Sequence, residues 1–161
     1  MNANERGKRD NDMPEYPEKL ATVLEDFSFI TDPRERADYL IAFADRFEEA
    51  PAHIATRPYS ERNRVPACES EAFVWVEPQA DGTLQLHFAV ENPQGLSAKA
   101  LAAILDDCLS GLPAEEVAKV DPEIVFTIFG KNIAMGRGQG LTSMVAMVRS
   151  AAQRYLAERQ R

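Results

Sequence analysis

Ala72-Phe73-Val74-Trp75-Val76-Glu77-Pro78-Gln79-Ala80-Asp81-Gly82-Thr83-Leu84-Gln85-Leu86-His87-Phe88-Ala89-Val90 is the stretch whose reading decides the fold. Ala72 to Val76 is a short apolar run rich in β-branched and aromatic residues, which suits a buried strand. Pro78 to Gly82 is a turn, tightest at Asp81-Gly82. From Thr83 to Val90 the pattern alternates, with Leu84, Leu86, Phe88 and Val90 on one side. The two runs predict a β-hairpin with one face covered by helices. A third short strand has room but no readable signal.

Helical patterns lie on both sides of this hairpin. Pro14 and Pro17 lead into a first helix that runs to about Asp26, with Leu20, Val23, Leu24 and Phe27 on one face. Asp32-Pro33-Arg34-Glu35 is a start signal for a second helix, whose predicted apolar face is Ala37, Leu40, Ile41, Ala44 and Phe47. From Glu48 to Pro66 the periodicity stops and three prolines intervene, so a long loop is expected there. Beyond the hairpin, Ser97 reads as the cap of a helix with Leu101, Ile104, Leu105, Cys108 and Leu109 in its stripe and Gly111 at its end. Short helices follow over 114–120 and from Asp121-Pro122 to the residue before Gly130. Gly136-Arg137-Gly138-Gln139-Gly140 reads as a flexible connection before a last helix that buries Leu141, Met144, Val145, Val148, Ala151 and Tyr155. Helices, then a hairpin, then helices argue an α+β fold: an antiparallel sheet packed against helices. Residues 1–13, polar and charged, are expected to be a disordered tail, and 14–161 a single domain.

Composition narrows the function. An apolar content of 45% and a charged content of 27% over 161 residues describe an ordinary globular chain with enough core to fold without staples. The net charge of −8 argues against nucleic acid, whose phosphates need a basic field. No apolar run reaches the length of a membrane span and no signal peptide is visible, so a cytoplasmic protein is expected. Two cysteines, Cys68 and Cys108, are too few for a disulfide framework or a four-ligand zinc site. His53 and His87 are far apart and form no metal or triad motif. Asp106-Asp107 and Glu115-Glu116 read as solvated helix faces, and Phe73 and Trp75 as core.

Cys68 is the candidate site. It lies in Asn63-Arg64-Val65-Pro66-Ala67-Cys68-Glu69-Ser70-Glu71, at the end of the long loop and directly before the first strand. A thiol at the tip of a loop on a rigid strand can be offered to another protein. Arg57, Arg62 and Arg64 favour a thiolate there, whereas Glu69 and Glu71 oppose it, and the competing reading is a buried, inert cysteine. Ala67 and the run Ala72-Phe73-Val74 are expected to shelter the sulfur. Cys108, on an apolar helical face, reads as core. The glycines at 136–140 match neither a dinucleotide fingerprint nor a P-loop, but Arg137 between glycines is placed to reach a partner.

The Cys68 segment resembles the SufE family of cysteine-desulfuration proteins, where the usual form is Gly-Cys-Gln-Ser leading into an apolar strand. Gly136-Arg137-Gly138-Gln139-Gly140-Leu141 is similar to that family's Arg-x-Gln-Gly-Leu at the start of its last helix. The resemblance covers about residues 16–157. Ala67 replaces the usual glycine and Glu69 the usual glutamine. The resemblance implies an α+β fold similar to that of IscU-type scaffolds. It implies a protein that takes sulfane sulfur from a SufS-like, pyridoxal-phosphate cysteine desulfurase and passes it to an iron–sulfur scaffold. Cys68 would be the persulfide acceptor. Arg137, with Gly138, Gln139 and Gly140 beside it and Arg64 in the first motif, would contact the partner. The chain itself would hold no cofactor or metal and would be an accessory carrier, not a stand-alone enzyme. The alternatives are an iron–sulfur scaffold, which needs about three cysteine ligands, and a desulfurase-binding regulatory module that transfers no sulfur.

Overall fold

The computed structural model describes residues 15–161; the N-terminal stretch read as a tail, and Pro14 with it, lies outside the described residues. The hairpin forms as the alternation dictates. Strand β1 (Ala72–Pro78) pairs antiparallel with β2 (Thr83–Val90), with Ala72 opposite Val90 and Pro78 opposite Leu84. Asp81 tightens the turn by accepting from the Thr83 amide at 3.1 Å and its hydroxyl at 2.6 Å. A third strand, β3, is only Leu112–Pro113 and pairs with the start of β2, giving the order β1-β2-β3. Two residues are too few to leave a period in the sequence, which is why it could not be read there.

Among the described residues, six helices complete the α+β fold: α1 (Glu18–Phe29), α2 (Pro33–Ala44), α3 (Leu96–Leu109), α4 (Ala114–Val117), α5 (Ile124–Phe129) and α6 (Met135–Arg159). Leu84, Leu86, Phe88 and Val90 are buried, as their alternation predicts, and α3 packs on β2 while α6 packs on β1. α3 is the central helix. From Ala98 to Leu105 every residue but Lys99 is buried, so small alanines let neighbours approach from several sides. Tyr59, from the segment between α2 and β1, covers the other face of the hairpin. Its ring centroid lies 5.2 Å from Phe73 and 5.1 Å from Trp75, leaving Phe73 buried and Trp75 half-buried.

Several boundaries differ from the sequence reading. α1 runs to Phe29, beyond Asp26. The long loop expected over 48–66 forms, carrying a 3-10 turn at Glu61–Asn63 and tied down where Arg57 bridges Glu49 and Glu91. Ser97 does not cap α3; it lies inside the first turn, and Gly95 holds the cap position without a side-chain hydrogen bond. α4 ends at Val117. Glycines 136–140 are not a connection but the opening turns of α6.

α2 starts as read, with the Asp32 carboxylate accepting from the Arg34 amide at 2.9 Å and Pro33 in its first turn. Its buried face, however, is rotated: Phe43 and Ala44 are buried, Tyr39 and Leu40 half-buried, while Ala37 and Ile41 are exposed. The cause is Arg36. Its guanidinium donates to Phe27 O (3.1 Å) and Ile30 O (2.9 Å) at the end of α1, and to Thr127 O (2.9 Å) and Ile128 O (2.6 Å) at the end of α5. A cation here satisfies the orphan carbonyls of two helix C-termini at once. Turning Arg36 inward necessarily turns Ile41 out. Arg36→Ala should therefore lower stability by about 2 kcal/mol in chemical denaturation, with Lys rescuing little because it lacks the planar fork. A loss within about 0.5 kcal/mol would show that the four contacts are replaced by water at no cost.

Candidate functional site

Cys68 sits on a turn that grows out of β1. The Val65 amide donates to Ala72 O at 2.8 Å, Arg64 bridges to Phe73, and the Asn63 side chain donates to Val74 O at 2.9 Å. Residues 66–71 thus fold back over a short continuation of the hairpin, with the Glu71 amide donating to Cys68 O at 3.2 Å. Two non-glycine residues in this turn have left-handed backbone, Ala67 at φ 57° and Glu71 at φ 52°. A Cβ in that region costs roughly 1–2 kcal/mol, so the surrounding structure must hold the turn in place.

Two helix starts do so. A Cβ built on Gly140 would lie 3.0 Å from Ala67 O, 3.0 Å from Cys68 Cα and 3.4 Å from Cys68 Cβ. Only glycine lets the backbone of α6 come this close. On the other side, a Cβ on Gly95 would lie 2.8 Å from Val90 Cγ1 and 3.0 Å from Ser70 Cβ. The strand end is tied in as well: Asn92 and Glu91 amides donate to Ser70 O and Glu71 O, each at 3.1 Å. The Cys68 turn is clamped between the first turns of α3 and α6.

The thiol is half-buried and opens onto two cavities. The first, about 370 Å³, lies between the helix starts and is lined by Cys68, Ser70, Asn92, Leu96, Arg137 and Gly140 among others. The second is more open and includes Cys68, Glu61, Arg64, Pro66 and Gln139. Leu96 (45% exposed) and Met135 (81% exposed) are large apolar side chains left in solvent near this site.

Of the residues singled out from the sequence, the fold brings Arg64, Arg137, Gln139 and Gly140 to Cys68, although two motifs about 70 residues apart supply them. Gly138 is different: it is buried toward Ile133 and Phe126 and lines neither cavity. The shelter also differs in part from the one expected. Ala67 lines both cavities as expected, but none of Ala72, Phe73 or Val74 lines either; outside the turn itself, the first cavity's wall comes from 92–98 and 136–141. Asn92, Gln94, Gly95 and Leu96 were missed. The signal available for them is the turn-forming cluster Asn92-Pro93-Gln94-Gly95 directly after an alternating strand.

Cys108 is the opposite case. It is 2% exposed in the core face of α3, and burial, helped by Asp107, pushes its thiol up from 9.0 to about 12. Among the described residues no group of three His, Cys, Asp or Glu side chains comes together to hold a metal, and no helix is long and apolar enough to cross a membrane.

The site is thus a single half-covered thiol on a clamped turn of an α+β fold. The chain belongs to the SufE family: the family model for the Fe-S metabolism associated domain matches residues 21–152. An uncharacterised SufE-like protein of Rhizobium etli is 26% identical over 136 residues, covering 83% of this chain and 89% of its own. SufE-like protein 1, chloroplastic/mitochondrial, of Arabidopsis thaliana is 24% identical over 139 residues, 86% of this chain but 36% of that protein. The solution structure of a hypothetical protein from Thermus thermophilus superposes with a TM-score of 0.69 at 25% identity, covering 89% of this chain and 99% of that one. The family places the chain in iron–sulfur metabolism.

Two outcomes follow from the geometry. Gly140→Ala gains about 1 kcal/mol of helix propensity but drives a methyl into the backbone of Cys68. We expect little change in stability and a several-fold faster alkylation of Cys68 by iodoacetamide as the turn lifts; an unchanged rate would mean that α6 does not hold the turn. For Cys108, the buried thiol stays protonated when folded while the unfolded thiol ionises near 9. Its contribution to stability is thus complete below pH 9 and is lost as pH rises toward 12. The stability of the native chain should therefore fall more steeply over that window than that of Cys108→Ala, measured by denaturation at each pH. Parallel curves would contradict the burial of this thiol.

Proposed function

We infer that the protein is a sulfur carrier for iron–sulfur cluster assembly. It takes sulfane sulfur from a persulfide on a pyridoxal-phosphate cysteine desulfurase, stimulates that enzyme, and hands the sulfur on to a scaffold. The observation that supports this reading best is the setting of Cys68: a thiol reachable from two sides, at the tip of a turn held by two helix starts, on a chain of the SufE family.

The chemistry asks for little else. The Cys68 thiolate attacks the outer sulfur of the donor's Cys–S–SH group. A new S–S bond forms at Cys68, the donor's S–S bond breaks, and the donor cysteine leaves as its thiolate. One sulfane sulfur moves between two thiols, with no net oxidation and no oxidant. A thiolate and access are sufficient; no resident metal or cofactor takes part. The half-cover over Cys68 then serves the product, because a perthiolate standing free in solvent would be reduced by small thiols. Arg137 and the exposed Leu96 and Met135 supply a mixed cationic and apolar surface beside the thiol, suited to a protein partner.

A scaffold role is disfavoured by the cysteines themselves. A cluster needs several thiolates at one place, and Cys108 is locked in the core of α3. The test is Cys68→Ser, which keeps size but loses the nucleophile. The variant should bind the desulfurase yet no longer increase its turnover of cysteine, and intact-mass measurement should show no added sulfur. Undiminished stimulation by the variant would instead assign the chain to a regulatory role without transfer.

A further inference from the structure

The charges of this chain are unevenly placed. It carries a net charge of −8, yet α6 holds four arginines and one glutamate. Along one flank of α6 an open groove of about 620 Å³ runs between the helix and the segment leading to Cys68. Arg62 and Arg64 stand on one wall and Arg154 on the other, Met147 and Pro66 give it an apolar strip, and no carboxylate lines it. Among the described residues, Arg62 and Arg154 have no acidic side chain within 4.0 Å, and Arg64 has only the exposed Glu61 at 3.8 Å. Three cations kept together in solvent, on an acidic protein, repel one another without return inside the chain.

The groove is also continuous with the site. Arg64 and Pro66 line both it and the open cavity that contains Cys68. A segment lying in the groove would end beside the thiol. The chain's own N-terminal stretch is a poor occupant, since residues 1–14 carry three acids and three bases and offer no net charge.

We propose that the groove formed by Arg62, Arg64 and Arg154 docks an acidic segment of the sulfur-donating desulfurase and aligns it with Cys68. This rests on the reading of Cys68 as a sulfur acceptor and adds to it the surface and the chemistry that select the donor. Arginine suits the task because its planar fork pairs with carboxylates in two-point contacts, while Met147 and Pro66 give apolar cover next to them. Charges at the rim of an interface act mostly on the rate of encounter and on its salt dependence.

The test is the charge-reversed pair Arg62→Glu with Arg154→Glu. Both side chains are exposed, so the fold has no stake in them. Loading of Cys68 is followed by mass with two sulfur sources: the cysteine desulfurase of the source organism with cysteine, and glutathione persulfide, which needs no docking. The double variant should lose about tenfold or more in kcat/KM for desulfurase-driven loading at low salt. The deficit should shrink as ionic strength rises. Loading from glutathione persulfide should be unchanged. Normal desulfurase-driven loading of the variant overturns the groove while leaving Cys68 as the acceptor. An equal loss with glutathione persulfide also overturns it, because the charges would then be acting on the thiol itself. A defect confined to onward delivery, or groove binding won by a DNA duplex or a second copy of the chain, gives the groove another occupant and overturns the proposal. If the native chain takes sulfur from neither source, the Cys68 reading fails, and the groove's role with it.

Discussion

The backbone of α6 approaches the Cys68 turn so closely at Gly140 that a single methyl group would stand 3.0 Å from both Ala67 O and Cys68 Cα. The rest of the site depends on that contact. The turn 66–71 contains two left-handed non-glycine residues and would not hold its shape alone. It is held because α6 closes on it from one side, Gly95 admits Ser70 on the other, and the Val65–Ala72 pairing anchors its base to the hairpin. The three glycines at 136, 138 and 140 weaken the start of α6 as a helix by roughly 1 kcal/mol each relative to alanine. Packing at that start offsets the weakness. Gly140 meets the thiol-bearing turn and Gly138 meets the core, so one helical segment ties site and scaffold together.

The two cysteines show what this construction achieves. Both are single thiols in an α+β fold of modest size. Cys108 is surrounded by α3's neighbours, stays protonated far above neutral pH, and can take no part in exchange. Cys68 is backed by the core yet faces two openings, one toward Arg137 and one toward Arg64. Burial of the first is a packing decision. Under the proposed function, partial cover of the second balances reaching a partner's persulfide against keeping the product from solvent thiols. Around Cys68 an otherwise acidic chain places arginines, Arg64 and Arg137 among them.

Much of this was legible in the residues. Leu84, Leu86, Phe88 and Val90 declared a half-buried strand, Asp81-Gly82 its turn, and Asp32-Pro33 the start of α2. Cys68 was legible as the candidate site because a loop led into a strand at that point, and Arg137 as a candidate contact because glycines isolate it. What escaped has physical causes. Gly136 to Gly140 looked like a connection because local propensity opposes a helix there, and only tertiary contact overrides it. The face of α2 was misjudged because Arg36 is polar by type but spends its guanidinium on four buried-side carbonyls. β3 is too short to have a period. The sheltering residues 92–98 lie far from Cys68 in sequence, and a close approach between glycine and a distant backbone leaves no periodic trace.

The most direct measurement is the location of sulfur after one turnover. The native chain is mixed with a desulfurase carrying a single radiolabelled persulfide, excess sulfur donor is removed, and the peptides are mapped without reducing agent. The account predicts labelled sulfur on the peptide containing Cys68, at no more than one per chain, and none on Cys108. Label that stays on the desulfurase, or that reaches the chain anywhere other than Cys68, would contradict it.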